Sequence, residues 1–237
     1  MFKKFNISKK IFKNIKFFFI NFFESLIQFF EWFKLRDTKF ILISNNCFGS
    51  ELYISAKKRY NTPFVGLALY PDCYLKFLNN FQENINKKIV FIKKSKYIKD
   101  ISYPLGVIDS DIEIHFIHYT DSNEALTKWK MRIKRLKEDM NKNYPLFLKI
   151  CDRDGCTIKH LDRFHELPFE NKISLGVSSY ENKNHIKIPF LKDLNNNSLI
   201  DGFALFKKRN KYMDFTYWIK HKKINKTFFS SFLSFFS

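Results

Sequence analysis

Glycine and proline are scarce in this sequence, with 6 of each among 237 residues. A chain with so little of either does not have the composition of a low-complexity or disordered protein. Its length suits one hydrophobic core, or one core with an appendage. Glycine-rich Walker and Rossmann loops, the Gly-x-Ser-x-Gly elbow and zinc-type Cys/His spacings do not occur either, so the sequence points away from the enzymes that these motifs mark.

Cysteine is too sparse for a disulfide framework in a chain of this length. The four cysteines form no Cys-x-x-Cys pair and stand at Cys47, Cys73, Cys151 and Cys156. A reducing compartment is the simplest setting, and we therefore expect a cytoplasmic protein.

Acidic residues are outnumbered, 23 against 42 Lys and Arg, which gives a formal net charge of +19. Such a charge attracts polyanions, namely nucleic acid, anionic lipid head groups or phosphate-bearing substrates. The bases are spread along the chain, and no homeodomain, zinc-finger, RNP or KH signature is present. Nucleic acid is therefore not the expected partner.

The first 36 residues combine a basic lead-in with an apolar run. Six lysines come first: Lys3, Lys4, Lys9, Lys10, Lys13 and Lys16. The run from Phe17 to Phe33 is short for a membrane span, contains two glutamates and is not followed by a signal-peptide cleavage site. Its polar residues recur after three, four and three positions, on one stripe of an amphipathic helix: Asn21, Glu24, Gln28 and Glu31.

Two roles fit this predicted helix. A narrow polar stripe with a basic lead-in suits an anionic membrane surface, which would place the protein peripherally at the inner face of the cytoplasmic membrane. The alternative is a helix that packs against the domain or against a second subunit. The Phe- and Ser-rich residues 221–237 are interpreted as a separate tail.

Residues 37–220 are predicted to form one α/β domain. Six apolar segments have the length and composition of strands: Phe40–Ile43, Phe64–Leu69, Ile89–Ile92, Ile112–His118, Leu146–Ile150 and Ile173–Val177. Helices are predicted between several of them, over about residues 49–59, 72–79 and 122–140. The alternation indicates a mostly parallel sheet with flanking helices, in which ligands bind beyond the carboxyl ends of the strands.

The last of these helices has the clearest signals. Asp121 is its predicted N-cap, with Glu124 three residues on in a capping-box arrangement. Its apolar face repeats every three or four residues: Leu126, Trp129, Ile133, Leu136 and Met140. The bases between them form either a solvated face or a surface for phosphate or lipid.

Three polar clusters fall at predicted strand ends, where a ligand is expected. The first is the turn after Phe40–Ile43, which runs through Ser44, Asn45, Asn46, Cys47 and Gly49. A polar turn at a helix N-terminus offers backbone N–H groups to a phosphate or an oxyanion. In that position Cys47 is predicted to have a depressed pKa and to act as a nucleophile, unless it is a small buried cysteine.

The second cluster lies in Asp111–Tyr119. Strand alternation places Glu113 and His115 on one face and His118 on the other, with Tyr119 beside it. A carboxylate beside an imidazole fixes its tautomer and raises its basicity, as general bases require. A structural pair is the alternative.

The third cluster follows the strand Leu146–Ile150. Asp152 and Asp154, separated by Arg153, resemble pairs that share a divalent cation with a diphosphate. The alternative is that Asp154 caps the next helix while Asp152 pairs with Arg153 or with another base.

These clusters, in this order, resemble a bacterial family of unknown function commonly labelled exopolysaccharide biosynthesis protein. The similarity covers about residues 39–180 and rests on FILISNNCFG (40–49), YNTPFVGLAL (60–69), YPLG (103–106), DIEIHFIHY (111–119), the helix 124–135 and DRDGCT (152–157). Phe48 replaces an expected Trp. The resemblance implies a role in capsule, lipooligosaccharide or exopolysaccharide synthesis. It also adds candidate substrate-binding residues within these motifs: Asn61, Thr62, Trp129 and Arg132.

Three functions compete. In a glycosyltransferase, Asp152 and Asp154 hold manganese or magnesium with a nucleotide sugar, and Glu113 or His115 deprotonates a lipid-linked or polymeric glycan acceptor. In an acyltransferase that uses a coenzyme A ester, Cys47 or Ser44 is the nucleophile and His115 the base, with Asn45 and Asn46 as oxyanion hole. The third function is non-catalytic binding or assembly in the same pathway. Either reaction requires Asn45, Cys47, His115, Asp152 and Asp154 to line one pocket.

Overall fold

The computed structural model of the protein describes residues 24–225. Its strands are β1 (Ile41–Ser44), β2 (Val90–Ile92), β3 (Leu105–Ile108), β4 (Ile112–His115), β5 (Leu146–Cys151), β6 (Asn171–Gly176) and β7 (His185–Lys187). Its helices are α1 (24–35), α2 (Phe48–Ser55), α3 (Pro71–Asn79), α4 (Phe81–Asn84), α5 (Ser122–Asn141), α6 (Ile158–Glu166), α7 (Gly202–Lys207) and α8 (Phe215–His221).

A four-stranded parallel sheet forms the centre of the protein, in the order β1-β5-β6-β7. Strands β1 and β6 are buried along their whole length because helices cover both faces, which explains their continuous apolar sequences. The predicted α/β class with a mostly parallel sheet is confirmed.

Each face of this sheet has its own hydrophobic core. Alternate residues of β1 point to opposite faces, so that Ile41 and Ile43 join one core and Leu42 the other. The first core is completed by α3, α5 and α6, and the second by α2, α7 and α8. Leu35 at the end of α1 is fully buried in the second core, which attaches α1 to the domain.

Two predicted strands belong to a different sheet. The segments around Ile89–Ile92 and Ile112–His118 form an antiparallel sheet with β3, a strand that sequence reasoning missed. Three residues, 109–111, connect β3 to β4. Asp109 and Ser110 have positive φ, as the right-handed twist of a hairpin requires, and the Asp111 N–H donates to the Ile108 carbonyl at 3.2 Å. The usual Asn-Gly signal of such a turn is absent here, which hid the hairpin.

The segment Phe64–Leu69 is not a strand. It touches the antiparallel sheet only at an isolated bridge between Ala68 and His115, and Gly66 turns the chain with a φ of +69°. A Cβ at Gly66 would lie 3.2 Å from the Tyr119 ring and 3.3 Å from the His118 Cβ, so the segment stays close to the loop after β4 without lengthening the sheet. The edge strand β7, by contrast, was not predicted.

The long helix α5 begins as predicted. The Asp121 carboxylate accepts hydrogen bonds from the backbone N–H groups of Asn123 and Glu124. Glu124 bonds the backbone N–H and the hydroxyl of Thr120, so the reciprocal bond of a capping box is displaced by one residue. The apolar face packs into the first core through Ala125, Trp129, Ile133 and Leu136.

Within residues 24–225 no helix is both long enough and apolar enough to cross a membrane. The lysine-rich lead-in, Asn21 and most of the Phe- and Ser-rich tail lie outside the described residues.

Candidate functional site

A cleft of about 730 Å³ opens at the carboxyl ends of β1 and β5, where a parallel sheet is expected to bind its ligand. One wall comes from the turn after β1 and the start of α2, and another from the turn after β5. The start of α7, the loop after β4 and Ala68 complete the lining. The lining residues are Asn46, Cys47, Ser50, Glu51, Ala68, Ile117, His118, Arg153, Asp154, Asp201, Gly202 and Phe203.

The turn after β1 is a hydrogen-bonded scaffold. The Asn46 Oδ1 accepts from the backbone N–H of Phe48 at 3.2 Å, and its Nδ2 donates to the Cys151 Sγ at 3.1 Å. Ser44 and Asn45 are fully buried beneath it. These bonds tie β1 to β5 and fix the first turn of α2 at the edge of the cleft.

Close packing at this turn depends on two glycines. A Cβ at Gly49 would lie 3.0 Å from the Ser44 Cβ, so glycine lets α2 approach β1. A Cβ at Gly202 would lie 2.7 Å from the Asn46 Oδ1 and 2.8 Å from the Phe48 N. Gly202 therefore allows the start of α7 to press against the same turn and to bring Phe203 to the cleft.

Cys47 lines the cleft but does not have the depressed pKa that its sequence position suggested. Burial, followed by the nearby carboxylates of Glu51 and Asp201, raises the pKa of its thiol to about 11. These effects outweigh the favourable helix end, and the prediction is wrong on this point. At neutral pH Cys47 is a neutral thiol and a poor nucleophile. Ser44, the other nucleophile considered, is fully buried and bonds the Asn46 amide.

A buried ammonium group lies close to this turn. Lys149, in the middle of β5, has no exposed surface, and its Nζ donates to the Asn46 Oδ1 at 3.2 Å. The Nζ also lies 5.0 Å from the centre of the Phe48 ring. Among residues 24–225 no carboxylate lies within ion-pair distance of Lys149 (the ion pairs there involve other bases). Its charge therefore favours negative groups near the cleft. Burial raises the pKa of Asp154, and the charges of Arg153 and Lys149 partly oppose that effect.

The two aspartates after β5 have different surroundings. The Asp152 Oδ2 accepts from the Val177 N–H at 2.6 Å and its Oδ1 from the Leu199 N–H at 2.9 Å, so Asp152 joins β5, the end of β6 and the loop before α7. Asp154 lines the cleft, with its Oδ1 3.6 Å from the Arg153 Nε. Within residues 24–225 no group of three His, Cys, Asp or Glu side chains is arranged to hold a metal ion.

The alternative roles considered for this turn are also corrected. Helix α6 is capped by Thr157 in a capping box with His160, and Asp154 does not cap it. Asp152 makes no ion pair with Arg153, because its oxygens bond backbone amides. Arg153 instead contacts Asp193 at 3.2 Å and the Leu199 carbonyl at 2.8 Å.

Glu113 and His115 share one face of β4, as predicted, with 3.3 Å between the Glu113 Oε2 and the His115 Nε2. Both are buried, and neither lines the cleft. The Glu113 carboxylate accepts from the Ser95 hydroxyl and the Lys96 N–H, and the Tyr103 hydroxyl lies 3.2 Å from the His115 Nδ1. Burial lowers the pKa of His115. The pair lies behind Ala68, whose backbone bonds that of His115.

Of the remaining candidates, His118 lines the cleft and the others lie elsewhere. Tyr119 and Arg132 bond each other and the Val65 carbonyl in a buried cluster. Trp129 is in the first core. Asn61 and Thr62 are buried near the start of β1, at the opposite edge of the sheet. Asn61 and Thr62 therefore have a structural role in the motif that contains them.

The common pocket that both reactions required does not form as expected. Cys47 and Asp154 line the cleft, whereas the buried Asn45 and the half-buried Asp152 do not, and His115 lies behind Ala68. The difference arises because Asp152 uses both carboxylate oxygens to bond backbone N–H groups, while Asn45 and His115 are buried by neighbouring segments.

Seven lining residues were not among the candidate site residues: Ser50, Glu51, Ala68, Ile117, Asp201, Gly202 and Phe203. Ala68 and Ile117 lie within recognised motifs, and Ser50 and Glu51 follow the SNNCFG motif directly, so local sequence could have suggested these four. Asp201, Gly202 and Phe203 come from a distant part of the sequence that only folding brings to the cleft. Burial raises the pKa of Glu51, while Lys207, Arg209 and His118 partly oppose that effect.

Comparison with known proteins places this chain in a family. The family described as a domain of unknown function (DUF1919) matches residues 18–221. A protein of Haemophilus influenzae, described as uncharacterized, is 36% identical over 147 residues, which is 62% of this chain. The matched region spans 66% of that relative, just under two thirds of its length. Since the family match covers most of the sequence, the chain belongs to the DUF1919 family.

Proposed function

We propose that this protein is a sugar-modifying transferase of bacterial cell-surface polysaccharide synthesis, acting at the inner face of the cytoplasmic membrane. Glycosyl transfer from a nucleotide sugar to a glycan acceptor is the preferred reaction. One observation carries the proposal: carboxylates, a guanidinium, an imidazole and an exposed aromatic ring line a single cleft at the carboxyl edge of the sheet.

The acceptor half of the reaction is assigned to Glu51. Its carboxylate faces the cleft, and burial raises its pKa, which brings a carboxylate closer to the pKa that suits a general base at neutral pH. Phe203, 46% exposed, offers an apolar surface for the face of a sugar ring. Asp154 provides hydrogen-bond acceptors for hydroxyl groups.

The donor half is assigned to the basic side of the cleft. Arg153 and His118 line it, and the buried Lys149 ammonium lies near its floor, so a diphosphate is attracted there. As Glu51 takes the acceptor proton, the acceptor oxygen bonds the anomeric carbon of the donor. The bond from that carbon to the phosphate oxygen breaks, and the diphosphate leaves with the electron pair. The binding of manganese or magnesium with the diphosphate stays a prediction. Asp154 would contribute to such a metal site, because it is the aspartate that faces the cleft.

A thermal-shift titration of the full chain tests the proposal. The panel contains nucleotide sugars with and without manganese, and coenzyme A esters. We expect one nucleotide sugar to raise the Tm, because a ligand that binds only the folded state stabilises it. His118→Ala should weaken this shift, since the exposed imidazole lines the cleft, whereas His221→Ala, an exposed histidine of α8, should leave it unchanged.

The outcomes separate the three functions. Transfer of a labelled sugar from the binding donor to a glycan acceptor should fall about a hundredfold or more in Glu51→Gln, with donor binding retained. If only coenzyme A esters raise the Tm, acyl transfer becomes the proposed reaction in place of glycosyl transfer. Sugar binding without transfer would favour a binding protein, and the absence of any shift would contradict the proposed donors.

A further inference from the structure

Helix α1 is attached to the domain by its polar side. Glu31 is 7% exposed and forms a two-pronged ion pair with Arg209, with 2.6 Å between the Oε1 and the Nε and 2.8 Å between the Oε2 and the Nη2. The Ser55 hydroxyl of α2 also donates to the Glu31 carboxylate. Leu35, one turn later, is fully buried. A paired, buried carboxylate on this stripe fixes how α1 is rotated about its axis.

The opposite side of α1 is apolar and exposed. Leu26, Phe29, Phe30 and Phe33 are 37%, 50%, 57% and 51% exposed, and we call these four residues the phenylalanine face. A helix on the surface of a globular protein normally turns its apolar side inward, and here the arrangement is reversed. An exposed cluster of large apolar side chains marks an interaction surface.

Positive charge surrounds the phenylalanine face. The Arg36 guanidinium lies 4.7 Å from the Phe33 ring centre, and the Lys57 Nζ lies 5.1 Å from that of Trp32. Lys34 is about half exposed and pairs with Asp214 at 3.6 Å, and Arg36 pairs with the exposed Asp37 at 3.1 Å. The sequence before Glu24 contains six lysines and no acidic residue. Aromatic residues flanked by bases match an anionic lipid surface, where rings enter the head-group boundary and bases meet phosphate.

We propose that the phenylalanine face of α1 docks the protein on an anionic membrane surface, with the Glu31–Arg209 pair holding that face outward. Docking concerns the position of the protein and holds whether or not the cleft catalyses transfer. Because α1 is attached to α2 through Ser55, docking also fixes which side of the domain is next to the lipid.

Tryptophan fluorescence gives a direct test with the full chain. The protein has three tryptophans, of which Trp129 and Trp218 are buried and Trp32 lies on α1. Vesicles of phosphatidylcholine and phosphatidylglycerol carrying brominated acyl chains should quench emission from Trp32. The Trp32→Phe variant should bind equally well and lose the quenching, since the other two rings stay in the cores. Vesicles of phosphatidylcholine alone should bind more weakly.

The triple variant Phe29→Ser, Phe30→Ser, Phe33→Ser should lower the vesicle partition coefficient about tenfold or more. Phe190→Ser is the matched control, because Phe190 has the same 51% exposure as Phe33 and lies outside α1. Circular dichroism and sedimentation of each variant report on folding and on association.

Unchanged partition of the triple variant would overturn the proposal, as would vesicle binding without quenching of Trp32. Failure of the wild-type protein to bind anionic vesicles would do the same. If sedimentation shows that the triple substitution abolishes a dimer and leaves vesicle binding intact, a second copy of the chain covers the face.

Discussion

The carboxyl edge and the amino edge of the four-stranded sheet both contain polar residues from the recognised motifs. Only at the carboxyl edge do polar side chains remain available to bind a ligand. At the carboxyl edge, the side chains of His118, from a recognised motif, and of Glu51, just after another, make no hydrogen bond within residues 24–225 and face a cleft of about 730 Å³. At the amino edge, a cavity of about 310 Å³ lies beside Asn61, whose polar atoms are all engaged.

The network at the amino edge is closed. The Asn61 Nδ2 donates to the Phe40 carbonyl and to the Asp139 Oδ2, both at 2.9 Å, and its Oδ1 accepts from the Tyr53 hydroxyl at 2.6 Å. Tyr53 in turn accepts from the Leu42 N–H at 2.8 Å. A polar motif therefore marks a ligand site only where its atoms do not already hydrogen-bond within the fold.

The largest effect on stability is expected from a substitution that removes hydrogen bonds of the amino-edge network. Asn61→Ala leaves the Tyr53 hydroxyl, the Phe40 carbonyl and the Asp139 carboxylate short of partners, and should lower the free energy of unfolding by about 3 kcal/mol. Urea denaturation measures the loss. Donor binding to the folded variant should not change, because Asn61 is remote from the cleft.

Asn195→Ala is the control for this substitution, since its side chain is exposed in the loop before α7. It should alter stability by about 0.5 kcal/mol or less. Equal losses in the two variants would show that the amino-edge network is not structural.

A smaller effect distinguishes the two aspartates at the open edge. Asp152→Asn replaces one acceptor oxygen by an amide NH2 that faces a backbone N–H, and should lower the free energy of unfolding by about 2 kcal/mol. Asp154→Asn removes a charge that faces the cleft and should change stability by about 0.5 kcal/mol or less while weakening ligand binding. Denaturation and thermal-shift titration of both variants measure the difference, and the reverse pattern would mean that the roles are exchanged.

The fold was predictable where local pattern and burial agree. The strands β1, β5 and β6 and the helices α2, α3 and α5 were found within a few residues of their true ends, because each has a continuous apolar run or a capped amphipathic face. The antiparallel sheet was not found. A short run such as Val90–Ile92 does not reveal which strand it pairs with, and the turn at Asp109 and Ser110 lacks glycine.

The site was predictable only where the sequence is contiguous. The turns that carry Asn46, Cys47, Arg153 and Asp154 were found because they follow strong strands. Phe203 and Asp201 were missed, since a helix start far along the chain reaches the cleft only through tertiary packing. The pKa of Cys47 was misjudged for the same reason: burial and the Asp201 carboxylate come from the fold and outweigh the local helix end.

The smallest expected effect is on how the stability of the protein changes with pH through the ionisation of Glu51. It tests whether residues of the carboxyl edge serve chemistry while those of the amino edge serve stability. Burial raises the pKa of Glu51 above its ordinary value of 4.5 in the folded protein. The folded state therefore favours the protonated acid, and this contribution to stability is present below pH 4.5 and is lost as the pH rises through the raised pKa.

Glu51→Gln removes that unfavourable ionisation. At neutral pH the variant should melt about one degree higher than the wild-type protein, and the difference should shrink below pH 4.5. The exposed Glu170→Gln serves as control, with no such pH-dependent gain. A gain in Tm together with a loss of transfer means that the fold keeps a destabilising carboxylate for its chemistry. A lower Tm at neutral pH would instead place Glu51 with Asn61, among the residues that hold the sheet together.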